Sequence, residues 1–318
     1  MFTIVEKRRW YFLFSSLIII PGIIIMIYSV ATTGRLFRLS IDFEGGSIFE
    51  LRFTEAGADE SGLRAVFTEF GDDNPLIQQL GQAGEYRWSV RTGFHSETET
   101  RQIQERLDIL APLDRDALRV ENVSATIGQE VTQAAFVAVL VAAVIVTGFI
   151  ILAFRQVPDA FRYGVCAILA MLHDVLIVSA IMSLMGLLFG WEVDALFLTA
   201  VLMIVGFSVQ DTIVLFDRIR ENIPKFLGEP YETIVNRSIL ETIHRSLTTQ
   251  INVFFVIIAI MLFGGESIKQ FVFILFAGLL AGSYSSIFIA VPLLVSWEKG
   301  EIPFVNRRRD LQTAEAEI

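Results

Sequence analysis

The residues best suited to chemistry lie in Phe207–Asn222, FSVQDTIVLFDRIREN, which sets Gln210, Asp211, Asp217 and Arg218 at the end of an apolar run. Such a run is long enough to cross a bilayer. Asp211 falls about one and a half helical turns inside its end. Inserting an aspartate at the bilayer centre costs about 2.5–3.5 kcal/mol. A carboxylate there handles protons or ions, unless it only caps or packs against a neighbouring helix. Burial favours its neutral form and a nearby guanidinium its charged form, and a proton switch needs that competition.

A guanidinium is available. Arg245, Thr248, Thr249 and Asn252 recur at i, i+3, i+4 and i+7, a polar stripe on an otherwise apolar helix. Arg245 opens the fifth apolar run and Asp211 lies near the end of the fourth, so the two share a depth on one side. The alternative is that Arg245 is a snorkelling anchor, though an anchor does not require a polar stripe running inward.

His173-Asp174 lies near the middle of the third run. Adjacent helical positions point about 100° apart, so the pair is expected to face different partners. Asp174 would join an intramembrane polar network, while His173 either makes a helix–helix hydrogen bond or passes protons. No third ligand at suitable spacing accompanies them for a metal. No Walker-A sequence, nucleophile elbow or zinc motif occurs in the chain. An enzyme and a cofactor are therefore not expected, and any work must draw on an ion gradient or a partner.

The elements that carry these residues follow from composition. Of 318 residues, 53% are hydrophobic, and the mean hydropathy is +0.58. The single cysteine, Cys166, excludes an intrachain disulfide. Apolar runs predict six spans, at 11–31, 133–154, 160–187, 193–216, 246–263 and 268–297. A cleavable signal peptide is the competing reading of the first, with Ser29-Val30-Ala31 as its site. The run exceeds the usual signal core of about 7–15 residues, so a retained helix with a kink at Pro21-Gly22 is expected. Gly278-x-x-x-Gly282 marks a close-packing face in the sixth span.

Basic residues divide unevenly between the short loops. Lys7, Arg8, Arg9, Arg155, Arg162, Arg218, Arg220, Lys225, Arg237, Arg245, Lys299 and Arg307–Arg309 fall on one side, and Lys269 alone on the other. The positive-inside rule makes 1–10 and the polar, mobile tail 298–318 cytoplasmic. Residues 217–245 would be a cytoplasmic loop, with Glu232–Thr242 as a helix along the membrane surface.

The remaining segment, 32–132, would then be extracytoplasmic. It holds about half of the acidic residues of a chain whose net charge is −10, which argues against nucleic acid. Leu39–Phe53 reads as two short strands or a hairpin around Glu44-Gly45-Gly46. A helix at Ser61–Phe70, strands at Leu76–Leu80 and Tyr86–Thr92, a capping-box helix from Ser96 to Leu110 and a strand at Ala117–Ser124 follow. The order β-α-β-β-α-β predicts an α+β ferredoxin-like domain.

Asp42, Gly45 and Gly46 in IDFEGG, Leu172-His173-Asp174, GFSVQDTIVLFDRIREN and Arg245-Ser246-Leu247-Thr248-Thr249 together resemble the SecD/SecF family, on its SecF side, over essentially the whole chain. Glu44 stands where the family usually has Thr. The resemblance implies a bacterial inner-membrane subunit built as half of an RND-type bundle and paired with SecD. It further implies work beside SecYEG, with YajC as a further companion, in proton-motive-force-driven export of unfolded polypeptides. By motif position it places the proton-pathway carboxylate on Asp211 and the essential arginine on Arg245, with Asp174 contributing. One charge crossing 100 mV yields about 2.3 kcal/mol, enough to bias a conformational equilibrium roughly fiftyfold. A half-size small-molecule exporter and a non-conducting scaffold remain the alternatives.

Overall fold

A computed structural model describes residues 4–81, 84–154 and 160–301. The tail beyond 301, Arg155 and Arg307–Arg309 lie outside the described residues. The chain divides into two compact units, Leu39–Val137 and Met1–Arg38 with Ala138–Ile318.

A 3-10 turn, Val5–Lys7, leads into α1 (Arg8–Thr33), which continues through Pro21. It ends on Gly34 at φ 74°, whose N–H returns to Val30 O, the left-handed C-cap that glycine adopts without a Cβ penalty.

The Leu39–Val137 unit contains α2 (Ile41–Glu44), β1 (Gly46–Arg52), α3 (Glu60–Glu69), β2 (Leu76–Leu80), β3 (Arg87–Thr92), α4 (Glu97–Leu110) and β4 (Arg119–Val123), then the start of α5 (Ala125–Phe154). The strands form one antiparallel sheet in the order β2-β3-β1-β4, the ferredoxin-like arrangement. Its registers pair Phe49 with Val90 on one side and with Val120 on the other. Phe49, Leu51 and Val90 meet Leu63 and Phe67 of α3 and Ile103 and Leu107 of α4 in a closed core. Each large side chain so buried contributes about 1.5–3 kcal/mol. The capping box at α4 is formed: Ser96 Oγ accepts from Glu99 N, and Glu99 Oε2 accepts from Ser96 N at 2.8 Å.

The hairpin expected over Leu39–Phe53 is absent. Ser40 Oγ accepts from Asp42 N at 3.2 Å and caps the single turn α2. Gly45 (φ 76°) and Gly46 (φ 129°) then turn the chain into β1, whose partners are β3 and β4. A glycine pair serves a hairpin or a helix-to-strand bend equally well, and the serine cap before it decides for the bend.

The second unit is helical: α6 (Ala160–Phe189), α7 (Ala195–Lys225), α8 (Tyr231–Phe263), α9 (Glu266–Ser285), a π-helical turn at Ser286–Ala290 and α10 (Val291–Glu298). Among the described residues six stretches are long and apolar enough to span a membrane: Val5–Thr33, Ala125–Ala153, Ala160–Phe189, Ala195–Lys225, Tyr231–Phe263 and Ile268–Glu298. The π-helical turn precedes Pro292, which lacks an N–H and crowds the carbonyl one turn back. A Cβ at Gly278 would stand 2.1 Å from Ile204 Cδ1, and one at Gly22 would stand 2.5 Å from Ala180 Cβ. Glycine thus lets α9 approach α7 and α1 approach α6.

Residues 217–245 are not a loop with a separate surface helix. Helix α7 runs on to Lys225, and α8 starts at Tyr231 and continues into the fifth span without interruption. Asp217–Arg220 at 2.6 Å and Arg218–Glu221 at 2.8 Å are i,i+3 ion pairs that support helix beyond the apolar stretch. Hydropathy marks where the apolar part stops, not where the helix does.

Candidate functional site

Asp211 is half-buried on α7. Its Oδ2 accepts from Gln250 Nε2 at 2.6 Å and from Ser246 Oγ at 3.3 Å, both on α8. A cavity of about 40 Å³ adjoins it, lined in part by Gln210, Asp211, Thr242, Arg245, Ser246 and Thr249. One water needs roughly 10–15 Å³ of such space, so the cavity has room for about three or four. Arg245 shares the cavity and its charge acts on Asp211, yet its exposed guanidinium forms no ion pair with it among the described residues.

The polar stripe of α8 is turned relative to expectation. Ser246 and Gln250, at i and i+4, face Asp211. Arg245, Thr248, Thr249 and Asn252 are exposed, and the hydroxyls of Thr248 and Thr249 donate back to carbonyls of their own helix at 2.8 and 2.9 Å. Depth along a helix follows from residue number, but its rotation depends on which stripe packs. The i, i+4 pair of Ser246 and Gln250 was the signal for that face. Gln210 is exposed beside Asp211.

A second carboxylate is fully buried. Asp174 Oδ2 accepts from Ser208 Oγ at 2.6 Å and Ser285 Oγ at 2.7 Å, while Oδ1 lies 3.0 Å from His173 Nδ1. His173 Nε2 meets Ser15 Oγ at 2.8 Å, and its ring stacks on Tyr284. The two residues do have different outside partners, as their angular offset requires, but they also bond to each other. The cluster joins α1, α6, α7 and α9. Its three serines escaped the sequence reading because lone serines in apolar helices carry no periodic signal.

Beyond Asp211 the helix ends are charged. A larger cleft of about 290 Å³ is lined by Val214, Asp217, Arg218, Glu221, Glu241, Thr242 and Arg245. Val214, Thr242 and Arg245 also border the smaller cavity, so the two adjoin. Arg218 Nε donates to Glu241 at 2.6 Å, bridging α7 and α8, and buried Asn222 donates to the same carboxylate at 2.8 Å. Asp217 pairs with Arg220 instead of facing Asp211.

In the other unit, Asp42, Gly45 and Gly46 lie at the α2–β1 turn. A Cβ on Gly45 would stand 2.9 Å from Ala125 Cα, and one on Gly46 would stand 2.7 Å from Thr92 O. No group of three metal-ligating side chains occurs among the described residues.

The family "Protein export membrane protein SecD/SecF, C-terminal" matches residues 102–300, and the "SecD/SecF GG Motif" matches residues 31–56. The chain is 44% identical to the protein translocase subunit SecF of Anaerolinea thermophila, covering 95% of this chain and 96% of that one. It is 40% identical to that of Thermobaculum terrenum, over 99% of each. Among solved structures it resembles SecDF of Thermus thermophilus, a translocon-associated membrane protein, with TM-score 0.75 and 32% identity over 94% of this chain. SecDF in its super-membrane-facing form gives TM-score 0.63 and 30% identity over 99% of this chain. The chain spans 39% and 40% of those two longer chains.

Proposed function

The chain belongs to the SecD/SecF family of protein-export membrane proteins, on its SecF side, and from that membership we propose that it couples proton movement to protein export. In this reading Asp211 carries the proton, Arg245 sets its electrostatic environment, and Asp174 belongs to the same pathway. Gln210, Asp217, Thr248, Thr249, Asn252 and His173 would line or support it. The observation that carries the proposal is a carboxylate inside an apolar helix, beside a water-sized cavity that also holds an arginine.

A SecD-type subunit would supply the other wall of the path. The exposed face of α8, with Arg245, Thr248 and Asn252, supports that reading because a polar stripe in a membrane needs something polar to face. The chain would sit in the bacterial inner membrane with cytoplasmic termini and the Leu39–Val137 unit outside, as the basic-residue bias favours. Segments 1–10, 11–31, 32–132, 133–154, 160–187, 193–216, 246–263, 268–297 and 298–318 keep the sidedness set out above. A SecYEG-type channel, a YajC-type companion and an unfolded exported polypeptide complete the partners, and the cycle of Asp211 would move the outside domain. Ligand pockets for drug-sized molecules run to about 300–1,000 Å³. The cavity at Asp211 is about 40 Å³, and the cleft of about 290 Å³ beside it is lined mostly by charged side chains, unlike the predominantly apolar lining of such pockets, which does not favour the small-molecule exporter.

The test is proton flux in vesicles holding this chain with its SecD-type partner, comparing wild type, Asp211→Asn and Arg245→Met. Loss of flux in both variants with assembly intact supports the path. Unchanged flux in Asp211→Asn refutes it and leaves the scaffold reading.

A further inference from the structure

Gln250 is buried on α8, yet only half of its amide is used. Nε2 donates to Asp211 at 2.6 Å, while Oε1, shut off from solvent, meets no donor among the described residues. A neutral amide nitrogen usually lies about 2.9–3.0 Å from its acceptor, whereas an O–H···O bond closes to about 2.7–2.8 Å. At 2.6 Å the spacing lies within the oxygen–oxygen range and is shorter than a usual nitrogen–oxygen bond. Turning the amide by 180° exchanges Oε1 for Nε2 at this position with little change of shape, because the two ends are nearly isosteric.

We propose that Gln250 is the positioning residue that lets Asp211 hold or release a proton without repacking α7 against α8. With Asp211 ionised, the amide presents Nε2 and donates to the carboxylate. With Asp211 protonated, the amide turns and Oε1 accepts the carboxyl O–H. The proton enters and leaves at Asp211 from the adjoining cavity, and the amide neither gains nor loses one. Ser246, the other partner, is a hydroxyl and can likewise donate or accept.

Arg245 cannot do this, since a guanidinium only donates. It is the charged group of α8 lining the cavity beside Asp211. The π-helical turn contributes Ser286 and Ile287 there, neither of them titratable. Asp217, Arg218, Glu221 and Glu241 line the neighbouring cleft, and Asp174 of α6 accepts from Ser208, which lies one turn from Asp211 on α7.

The inference rests on the reading of Asp211 as the proton carrier, and its test separates the two. Proton flux is measured against pH in vesicles containing the chain with its SecD-type partner, for wild type, Gln250→Met, Gln250→Asn and Asp211→Asn. Methionine keeps the bulk and removes both hydrogen-bonding ends. Charge-assisted bonds are about twice as strong as neutral ones, so the ionised state loses more. The pH midpoint of flux in Gln250→Met is expected to move upward by about one unit, a tenfold change. Gln250→Asn, which keeps the amide, is expected to recover part of that displacement. An unchanged profile in Gln250→Met, with flux still abolished in Asp211→Asn, overturns the role of Gln250 and keeps that of Asp211. Flux surviving in Asp211→Asn overturns both.

A spectroscopic arm covers a variant that fails to assemble. Infrared difference spectra between low and high pH, on the wild-type complex with isotope-labelled glutamine, are expected to show a displaced amide C=O band that vanishes in Asp211→Asn. No labelled amide band that depends on Asp211 overturns the proposal.

Discussion

Ser208 donates its hydroxyl to Asp174 at 2.6 Å, from a position one helical turn before Asp211 on the same helix. The two intramembrane carboxylates are thereby linked through a single turn of α7. Asp174 is also the acceptor for Ser285, and it steers His173, which reaches Ser15. Asp174→Ala would leave Ser208 and His173 buried without this acceptor, at about 1–3 kcal/mol for each group left unpaired, while Ser285 keeps Gly282 O at 3.2 Å. Asp174→Asn retains one oxygen acceptor and should cost less. Thermal unfolding of the purified chain in detergent checks the order: wild type highest, then Asp174→Asn, then Asp174→Ala. Equal melting of all three would show that the cluster does not hold these helices together.

The approach of α9 to α7 depends on the missing side chain of Gly278. An alanine Cβ there would meet Ile204 Cδ1 at 2.1 Å and Val178 Cγ2 at 3.0 Å. Overpacking of this kind costs about 1–3 kcal/mol. Because the obstructing atoms belong to the end of Ile204, Ile204→Ala should restore part of the stability lost in Gly278→Ala. Residues in contact show coupling energies of about 0.5–3 kcal/mol in a double-mutant cycle. Strict additivity of the two changes would place the crowding elsewhere.

The Leu39–Val137 unit should loosen in acid at three identified places. The carboxyl of Asp59 is held below its ordinary range by Ser61 and the Gly62 N–H, and that of Glu99 by the backbone and hydroxyl of Ser96. Asp108 is lowered by the Leu113 N–H and by Arg115. A carboxylate whose folded pKa is depressed contributes stability that is complete above its unfolded value, about 3.9 for Asp and 4.3 for Glu. That contribution falls away as pH drops through the lower folded value. Amide exchange at Gly62, Ser96 and Leu113, corrected for its intrinsic pH dependence, should therefore stay level from neutral pH to about pH 5 and rise below pH 4. Loss of protection already near pH 6 would assign these amides to other acceptors.

Much of this arrangement was legible in the residues, and the limits are instructive. Asp211 stood out because a carboxylate in an apolar run is costly, and Arg245 because it shares that depth. Their separation in the structure reflects the rotation of α8, which residue number does not reveal. The βαββαβ order emerged from alternation and the Ser96–Glu99 capping box. Glu44-Gly45-Gly46 misled because positive-φ glycines serve bends as well as hairpins, and the deciding Ser40 cap is a single hydrogen bond. The helical continuation through residues 217–225 and 231–245 does not show in hydropathy, where charge resembles loop, yet charges spaced three apart support a helix.

The turn at Gly45 should be intolerant for two separable reasons. Its backbone, at φ 76° and ψ 171°, occupies a region that is essentially glycine-only. A Cβ would in addition meet Ala125 Cα at 2.9 Å and Ala125 N at 3.0 Å, where α5 begins. Gly128 closes the same contact from the other side, since its own Cβ would lie 2.9 Å from Gly45 N. Gly71 is the control: its φ is +89°, but nothing lies within 4 Å of a Cβ there. Gly71→Ala should carry only the conformational cost, about 1–2 kcal/mol. Gly45→Ala adds a clash with backbone that cannot rotate away, about 1–3 kcal/mol more. Melting temperatures of the two variants measure the difference directly. Equal losses would mean that the α5 terminus yields and that no clash is felt; a larger loss at Gly45 measures the clash together with the added cost of its glycine-only backbone.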